Sequence, residues 1–144
     1  MANASRRDLG MTICPLLDTN ILARYLLNDD ARQGKVALTL LSSSDEFTAP
    51  VSVLLELVWV LEVNDCTRDE ILRGLRHILG LSNFKIKETE AVVYALRWYE
   101  EGMDFGDALH LSLSARDERF ATFDKSMEKA ARKVGVFPPV HLKK

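Results

Sequence analysis

With 144 residues, the chain is long enough for one domain with a sizeable core and too short for two. Its 47% hydrophobic and 28% charged residues are typical of a globular protein, and its longest apolar run is too short and too interrupted to span a membrane. A net charge of −2 excludes a protein that coats nucleic acid through a basic surface alone, so any contact with nucleic acid must be local.

The N-terminal segment lacks the apolar core of a signal peptide. We expect residues 1–11 to form a flexible extension ahead of a single domain over residues 12–144. Cys14 and Cys66 are too few and too far apart for a disulfide framework or a zinc site, and we expect both to be reduced and half-buried. These features favour a cytoplasmic protein.

Short apolar strands alternate with helices along the chain. The predicted elements are a strand at 12–17, helices at 20–27 and 31–41, a strand at 46–49, a helix at 52–63, a helix opened by a capping box at Thr67 and Glu70, a strand at 84–87, helices at 88–101 and to about 115, a strand at 119–123, a helix at 126–134 and an extended piece near Val140. Pro15 would confine the first strand to an edge or distort it. The alternation predicts one α/β domain with a mainly parallel sheet covered by helices on both faces.

Five acidic residues fall where such a fold would bring them together. Asp18 and Asp124 follow directly after strands. Asp104 and Asp107 open a helix, and Glu56 lies in the first turns of the helix that follows the second strand. Because ligands of an open parallel sheet bind outside the carboxyl ends of its strands, we expect these carboxylates to meet at that edge.

Glu56 is the most informative of these acids, because its neighbours are strongly apolar and we expect it to be at least partly buried. No basic residue between Pro50 and Cys66 can pair with it locally, and an unpaired buried carboxylate is costly. A divalent cation held by several carboxylates would compensate, and all-oxygen ligands suit Mg²⁺ or Mn²⁺ rather than zinc or copper. The alternative is structural: the aspartates could cap or begin helices, and Glu56 could form a salt bridge in the core.

The chain contains, in order, the segments LLDTNILARYLL, VLLELVWVL with its glutamate, DFGDALHLSLS and FATFDK. In this order and at these intervals, they resemble those of PIN-domain proteins and, within that family, VapC-type toxins of bacterial toxin–antitoxin pairs. The resemblance extends from about Thr12 to Val140. It implies a three-layer α/β/α sandwich with a short-stranded, mainly parallel central sheet, and divalent-metal-dependent cleavage of RNA by an endoribonuclease.

The resemblance also implies roles for particular residues. The family's acidic quartet of catalytic metal ligands falls on Asp18, Glu56, Asp107 and Asp124. Asp104 matches an extra acid, and we expect it to help through water. Asn20 and Thr122 fall on polar positions that are expected to orient the acids or a metal-bound water. One or two Mg²⁺ or Mn²⁺ ions would serve the reaction.

Two further residues are candidates for binding the substrate. Arg24, on the first helix near Asp18, could contact a phosphate, and His110, one turn from Asp107, could approach the RNA. The alternatives are that Arg24 is solvated and that His110 is packed locally.

The resemblance also implies a small antitoxin that blocks the acidic pocket. We expect a homodimer in the bacterial cytoplasm with no membrane association.

Other functions fit parts of the pattern. A haloacid-dehalogenase-like phosphatase needs a second aspartate where this chain has Asn20, and a receiver-like regulator needs paired acids that the DTN segment lacks. A metal-dependent phosphatase of another kind is a remaining alternative. So is a non-catalytic module whose acidic pocket receives a basic peptide.

Overall fold

The computed structural model of the chain describes residues 17–115 and 119–143. Within them lie seven helices and four short strands. The elements are α1 (Thr19–Leu27), α2 (Ala31–Leu41), β1 (Phe47–Ala49), α3 (Val51–Val63), α4 (Arg68–Leu79), β2 (Phe84–Ile86), α5 (Thr89–Glu100), α6 (Phe105–Leu113), β3 (Phe120–Thr122), α7 (Lys125–Val134) and β4 (Val140–Leu142). The predicted extension at 1–11, the first strand except for Leu17, and Cys14 lie outside the described residues.

The strands pair in parallel, as predicted. In the first pair Phe47 of β1 lies opposite Phe84 of β2, and in the second Phe120 of β3 lies opposite Val140 of β4. The backbone N–H of Leu17 donates to the carbonyl of Thr48 at 3.1 Å, so the chain enters α1 alongside β1. The mixed α/β class is therefore confirmed, with two parallel pairs in the described part of the chain.

Local signals in the sequence set the ends of several helices. Thr67 and Glu70 form the predicted capping box at the start of α4, each side chain accepting the other's backbone N–H. Asp30 caps α2 by accepting the N–H of Gln33 at 2.9 Å, but the Gln33 side chain bonds elsewhere and does not complete a box. Gly102, with a φ of 112°, follows the end of α5, where the left-handed region favours glycine.

Helix α3 is the central element of the core. It packs against α1 and α6, and it turns Leu54, Leu57 and Leu61 inward with almost no exposure. Its opposite side faces solvent, where Trp59 is 65% exposed. Because most side chains on α3 are apolar, the direction of its buried face is set by its neighbours rather than by its own sequence.

None of the helices in residues 17–115 and 119–143 combines the length and apolar character that crossing a bilayer requires.

The packing of α3 makes a first prediction. Leu57→Ala should lower the free energy of unfolding by about 2–5 kcal/mol, because it leaves a cavity among fully buried neighbours. Val63→Ala on the same helix is the control, because Val63 is 56% exposed and its truncation should change stability by less than about 1 kcal/mol. Urea denaturation followed by circular dichroism measures both values. Equal losses in the two variants would contradict this description of the core.

Candidate active site

Three of the five predicted acids are the N-cap residues of helices. Asp18, Asp104 and Asp124 each accept a backbone N–H in the first turn of α1, α6 and α7, at 2.8, 3.0 and 3.1 Å. Helix capping by these three residues is therefore confirmed, and their part in binding a metal stays a prediction. Each cap uses one carboxylate oxygen, so a capping aspartate keeps its second oxygen for another role.

Glu56 is attached to the start of α1 by a side-chain hydrogen bond. The buried hydroxyl of Thr19 donates to Glu56 Oε2 at 3.0 Å, across 37 residues of sequence. Glu56 itself is exposed, so the expectation that it is partly buried is wrong. The reason is that α3 buries Leu54 and Leu57 on its inner side and leaves the intervening Glu56 on its outer side. Water and Thr19, rather than a buried counter-charge, accommodate this carboxylate.

Asp107 has the surroundings that most disfavour a charged carboxylate. It is half-buried, and its carboxylate accepts no hydrogen bond from residues 17–115 or 119–143. Burial raises the pKa of Asp107, and the negative charges of Asp104 and Asp124 raise that pKa further, while His110 lowers it. These three aspartates, from α6 and the start of α7, therefore share one electrostatic environment.

Gly106 of α6 lies next to Leu55 of α3, beside these acids. A Cβ atom at Gly106 would lie 3.2 Å from Asp104 Oδ2 and 3.6 Å from the Leu55 side chain. Leu55 precedes Glu56, and Gly106 precedes Asp107. The α3–α6 contact thus places the helix that carries Glu56 beside the helix that carries Asp107.

The two polar residues expected to orient the acids both contact them. Thr122 Oγ1 accepts the backbone N–H of Asp124 at 3.0 Å, and Asn20 Nδ2 donates to Asp18 Oδ2 at 3.4 Å. The contacts are present, and a part for Asn20 and Thr122 in catalysis stays a prediction.

The two candidate substrate contacts have different surroundings. Arg24 Nη1 lies 2.8 Å from both carboxylate oxygens of Asp29, and its Nε donates to Gln33 at 2.8 Å. To bind Arg24, a phosphate would have to displace Asp29 from this exposed ion pair. His110 is exposed on the same helix as Asp107, and its imidazole makes no hydrogen bond with any residue that the structure describes.

Sequence reasoning did not select Thr19 as a site residue. The sequence feature that could have indicated Thr19 is its position in DTN, directly after the predicted ligand Asp18. Its contact with Glu56 depends on how α1 packs against α3, and no local pattern in the sequence reveals that packing.

The donor chemistry of the site fits a hard divalent cation. The acids offer only oxygen atoms, and Asp107 has no hydrogen-bond donor in the described ranges to offset its charge. No three His, Cys, Asp or Glu side chains within 17–115 and 119–143 form a group that could hold a metal ion. The helices that carry or follow Asp18, Glu56 and Asp107 therefore pack through α3, and Asp124 is close enough to raise the pKa of Asp107, but the described side chains do not form a metal-binding group.

A protein-family model described as the PIN domain matches residues 16–133, and the chain belongs to that family. The matched range contains all five acids. A comparison with curated proteins finds no match. PIN domains are typically metal-dependent nucleases, so family membership supports a nuclease.

The repulsion around Asp107 generates a second prediction. In buffer containing a chelator, Asp107→Asn should raise Tm by roughly 2–5 °C, because it removes one of several mutually repelling charges and breaks no side-chain hydrogen bond. The gain should be present near neutral pH. It should disappear as the pH falls through the raised pKa of Asp107, since the wild-type carboxyl then becomes neutral as well.

Differential scanning calorimetry at several pH values measures this effect. Asp45→Asn, in the exposed loop before β1, is the matched control and should leave Tm nearly unchanged. A wild-type Tm above that of Asp107→Asn at neutral pH without metal would refute the repulsion.

Proposed function

We propose that this PIN-domain protein is a divalent-metal-dependent endoribonuclease. The observation that carries the proposal is the setting of Asp107: a half-buried carboxylate without a hydrogen-bond donor in the described residues, whose pKa is raised by burial and by the charges of Asp104 and Asp124. In a family of typically metal-dependent nucleases, such a carboxylate is best explained as a ligand of a cation.

The ligands in this proposal are the carboxylates of Asp18, Glu56, Asp107 and Asp124, with Asp104 acting through water. When bound, one or two Mg²⁺ or Mn²⁺ ions would offset the charge of the scissile phosphate and lower the pKa of a bound water. The protein's own contribution is to hold the carboxylates. Thr19 holds Glu56, and the helix caps fix the remaining acids except Asp107.

Neighbouring residues would contact the RNA in this proposal. Arg24 could bind a phosphate if it exchanged its bond to Asp29 for one to the substrate. His110 is exposed one turn from Asp107 and could contact a flanking nucleotide.

The third prediction tests the reaction itself. Purified protein incubated with total RNA and Mg²⁺ or Mn²⁺ should produce discrete cleavage products, and a chelator should abolish them. Asp107→Asn and Asp124→Asn should each reduce the rate by at least about 100-fold, because each removes a charged ligand while the amide can keep local contacts. Mapping the cut ends by sequencing gives the cleavage site.

Asp45→Asn is the control for this experiment. Asp45 is exposed in the loop that enters β1, whereas Glu56 lies on the helix that begins after the other end of that strand. Cleavage by Asp107→Asn at the wild-type rate, or cleavage that persists in chelator, would refute the proposed site.

We further propose that the protein is the toxin of a type II toxin–antitoxin pair in a bacterial cytoplasm. The resemblance of its four acidic segments to VapC-type toxins supports this proposal. Two large apolar side chains also lie exposed near predicted ligands, Trp59 at 65% and Phe123 at 79%. Exposed apolar side chains of this size suit contact with another protein chain.

The fourth prediction concerns this biological role. Expression in a bacterial host should arrest growth, expression of Asp107→Asn should not, and co-expression of a small antitoxin with a basic segment for the acidic pocket should relieve the arrest. Light scattering of the purified protein should give the mass of a homodimer. Growth that is identical for wild type and variant would count against a toxin, and a monomer would count against the dimer.

A non-catalytic acidic-pocket module is the second candidate function. The observation that favours it is that the acids do not form a closed metal-binding group in the described residues, so a basic side chain could occupy the space between them. Such a module would bind an arginine-containing peptide with or without Mg²⁺ and would leave RNA intact. A metal-dependent phosphatase would instead release phosphate from a monoester.

A further inference from the structure

We infer that Thr19 is a positioning residue that holds two of the proposed metal ligands in fixed relation. The inference rests on the function proposed above and concerns how its site is assembled. Thr19 is the first residue of α1, directly after Asp18, and is only 4% exposed.

Thr19 donates through two groups, and each reaches a different acid. Its backbone N–H donates to Asp18 Oδ1 at 2.8 Å, and its hydroxyl donates to Glu56 Oε2 at 3.0 Å. One residue therefore connects the N-terminus of α1 to a carboxylate on α3. The bonds use one oxygen of each acid. Glu56 Oε1 accepts nothing from the described part of the chain, and Asp18 Oδ2 accepts only the 3.4 Å bond from Asn20.

The position of Thr19 at the start of its helix explains why its hydroxyl reaches across to α3. Within a helix, a threonine hydroxyl commonly bonds the carbonyl one turn earlier, but the first residue of a helix has no such helical carbonyl behind it. A buried hydroxyl needs a partner, and Glu56 provides it. The branched Cβ of threonine also restricts the direction in which the hydroxyl points.

An exposed glutamate benefits from being held in this way. Glu56 has several rotatable bonds, and binding a cation would require its carboxylate to lose that freedom. A side chain already held by Thr19 loses less freedom on binding, so the bond should strengthen cation binding without touching the ion. A bond that served only to satisfy the buried hydroxyl would leave cation affinity unchanged.

Thr19→Ser and Thr19→Ala form the matched pair that tests the inference. Both variants lack the methyl group and differ only in the hydroxyl, so a packing loss common to both cancels in the comparison. Mg²⁺ is titrated into the purified full-length protein by calorimetry, with tryptophan fluorescence, to which Trp59 contributes one turn from Glu56, as a second readout. We expect the apparent Kd for Mg²⁺ to be near the wild-type value in Thr19→Ser and about 10- to 100-fold weaker in Thr19→Ala.

The same two substitutions in a Glu56→Ala background determine whether the Thr19 hydroxyl affects Mg²⁺ affinity through Glu56. In a Glu56→Ala background the serine and alanine variants should bind Mg²⁺ equally, because the hydroxyl no longer has its acceptor. Equal affinities of the two variants in the wild-type background would overturn the inference. A serine–alanine difference that persists undiminished in the Glu56→Ala background would also overturn it.

Failure of the proposed function would be recognised separately. If the proposed function is wrong, the unsubstituted protein will neither bind Mg²⁺ nor cleave RNA. The inference about Thr19 would then be refuted as well. If the unsubstituted protein binds Mg²⁺ and cleaves RNA while the Thr19 pair behaves alike, the inference alone is refuted.

Discussion

Carboxylates of like charge repel one another, and the fold holds several of them on neighbouring elements. Asp104 caps α6, Asp107 lies in the first turn of that helix and Asp124 caps α7. The charges of Asp104 and Asp124 raise the pKa of Asp107. The packed core beneath them maintains this arrangement, because α3 contacts both α1 and α6. Repelling carboxylates that the rest of the structure holds near one another are characteristic of a functional site.

Helix N-termini moderate this repulsion. Three of the acids accept backbone N–H groups that would otherwise lack partners, and the positive ends of α1, α6 and α7 favour the negative charges placed there. Capping and cation binding are compatible functions for one aspartate, because the cap uses only one oxygen. Asp107 differs from the three caps, since its side chain contributes to no cap and its charge is the least compensated.

Much of the secondary structure could be predicted from local chemistry. The capping box of Thr67 and Glu70 and the cap at Asp30 mark the starts of two helices by hydrogen bonds between near neighbours in sequence. The exposure of Glu56 could not be predicted, because nearly every residue of α3 is apolar and the sequence does not indicate which side faces the core. The ion pair of Arg24 with Asp29 and the bond of Thr19 to Glu56 likewise depend on side-chain directions and on tertiary packing. The parallel pairing of strands followed from their alternation with helices, but three-residue strands carry too little pattern to specify register.

The central claim is that these acids jointly bind a hard divalent cation, and a crystal soaked with Mn²⁺ tests it most directly. The account predicts an anomalous scattering peak with carboxylate oxygens of Asp107 and at least two of Asp18, Glu56 and Asp124 at roughly 2.1 Å. Glu56 should still accept the hydroxyl of Thr19 in that crystal. A saturating soak that leaves no peak among these residues, or that places Mn²⁺ only elsewhere on the surface, would contradict the account.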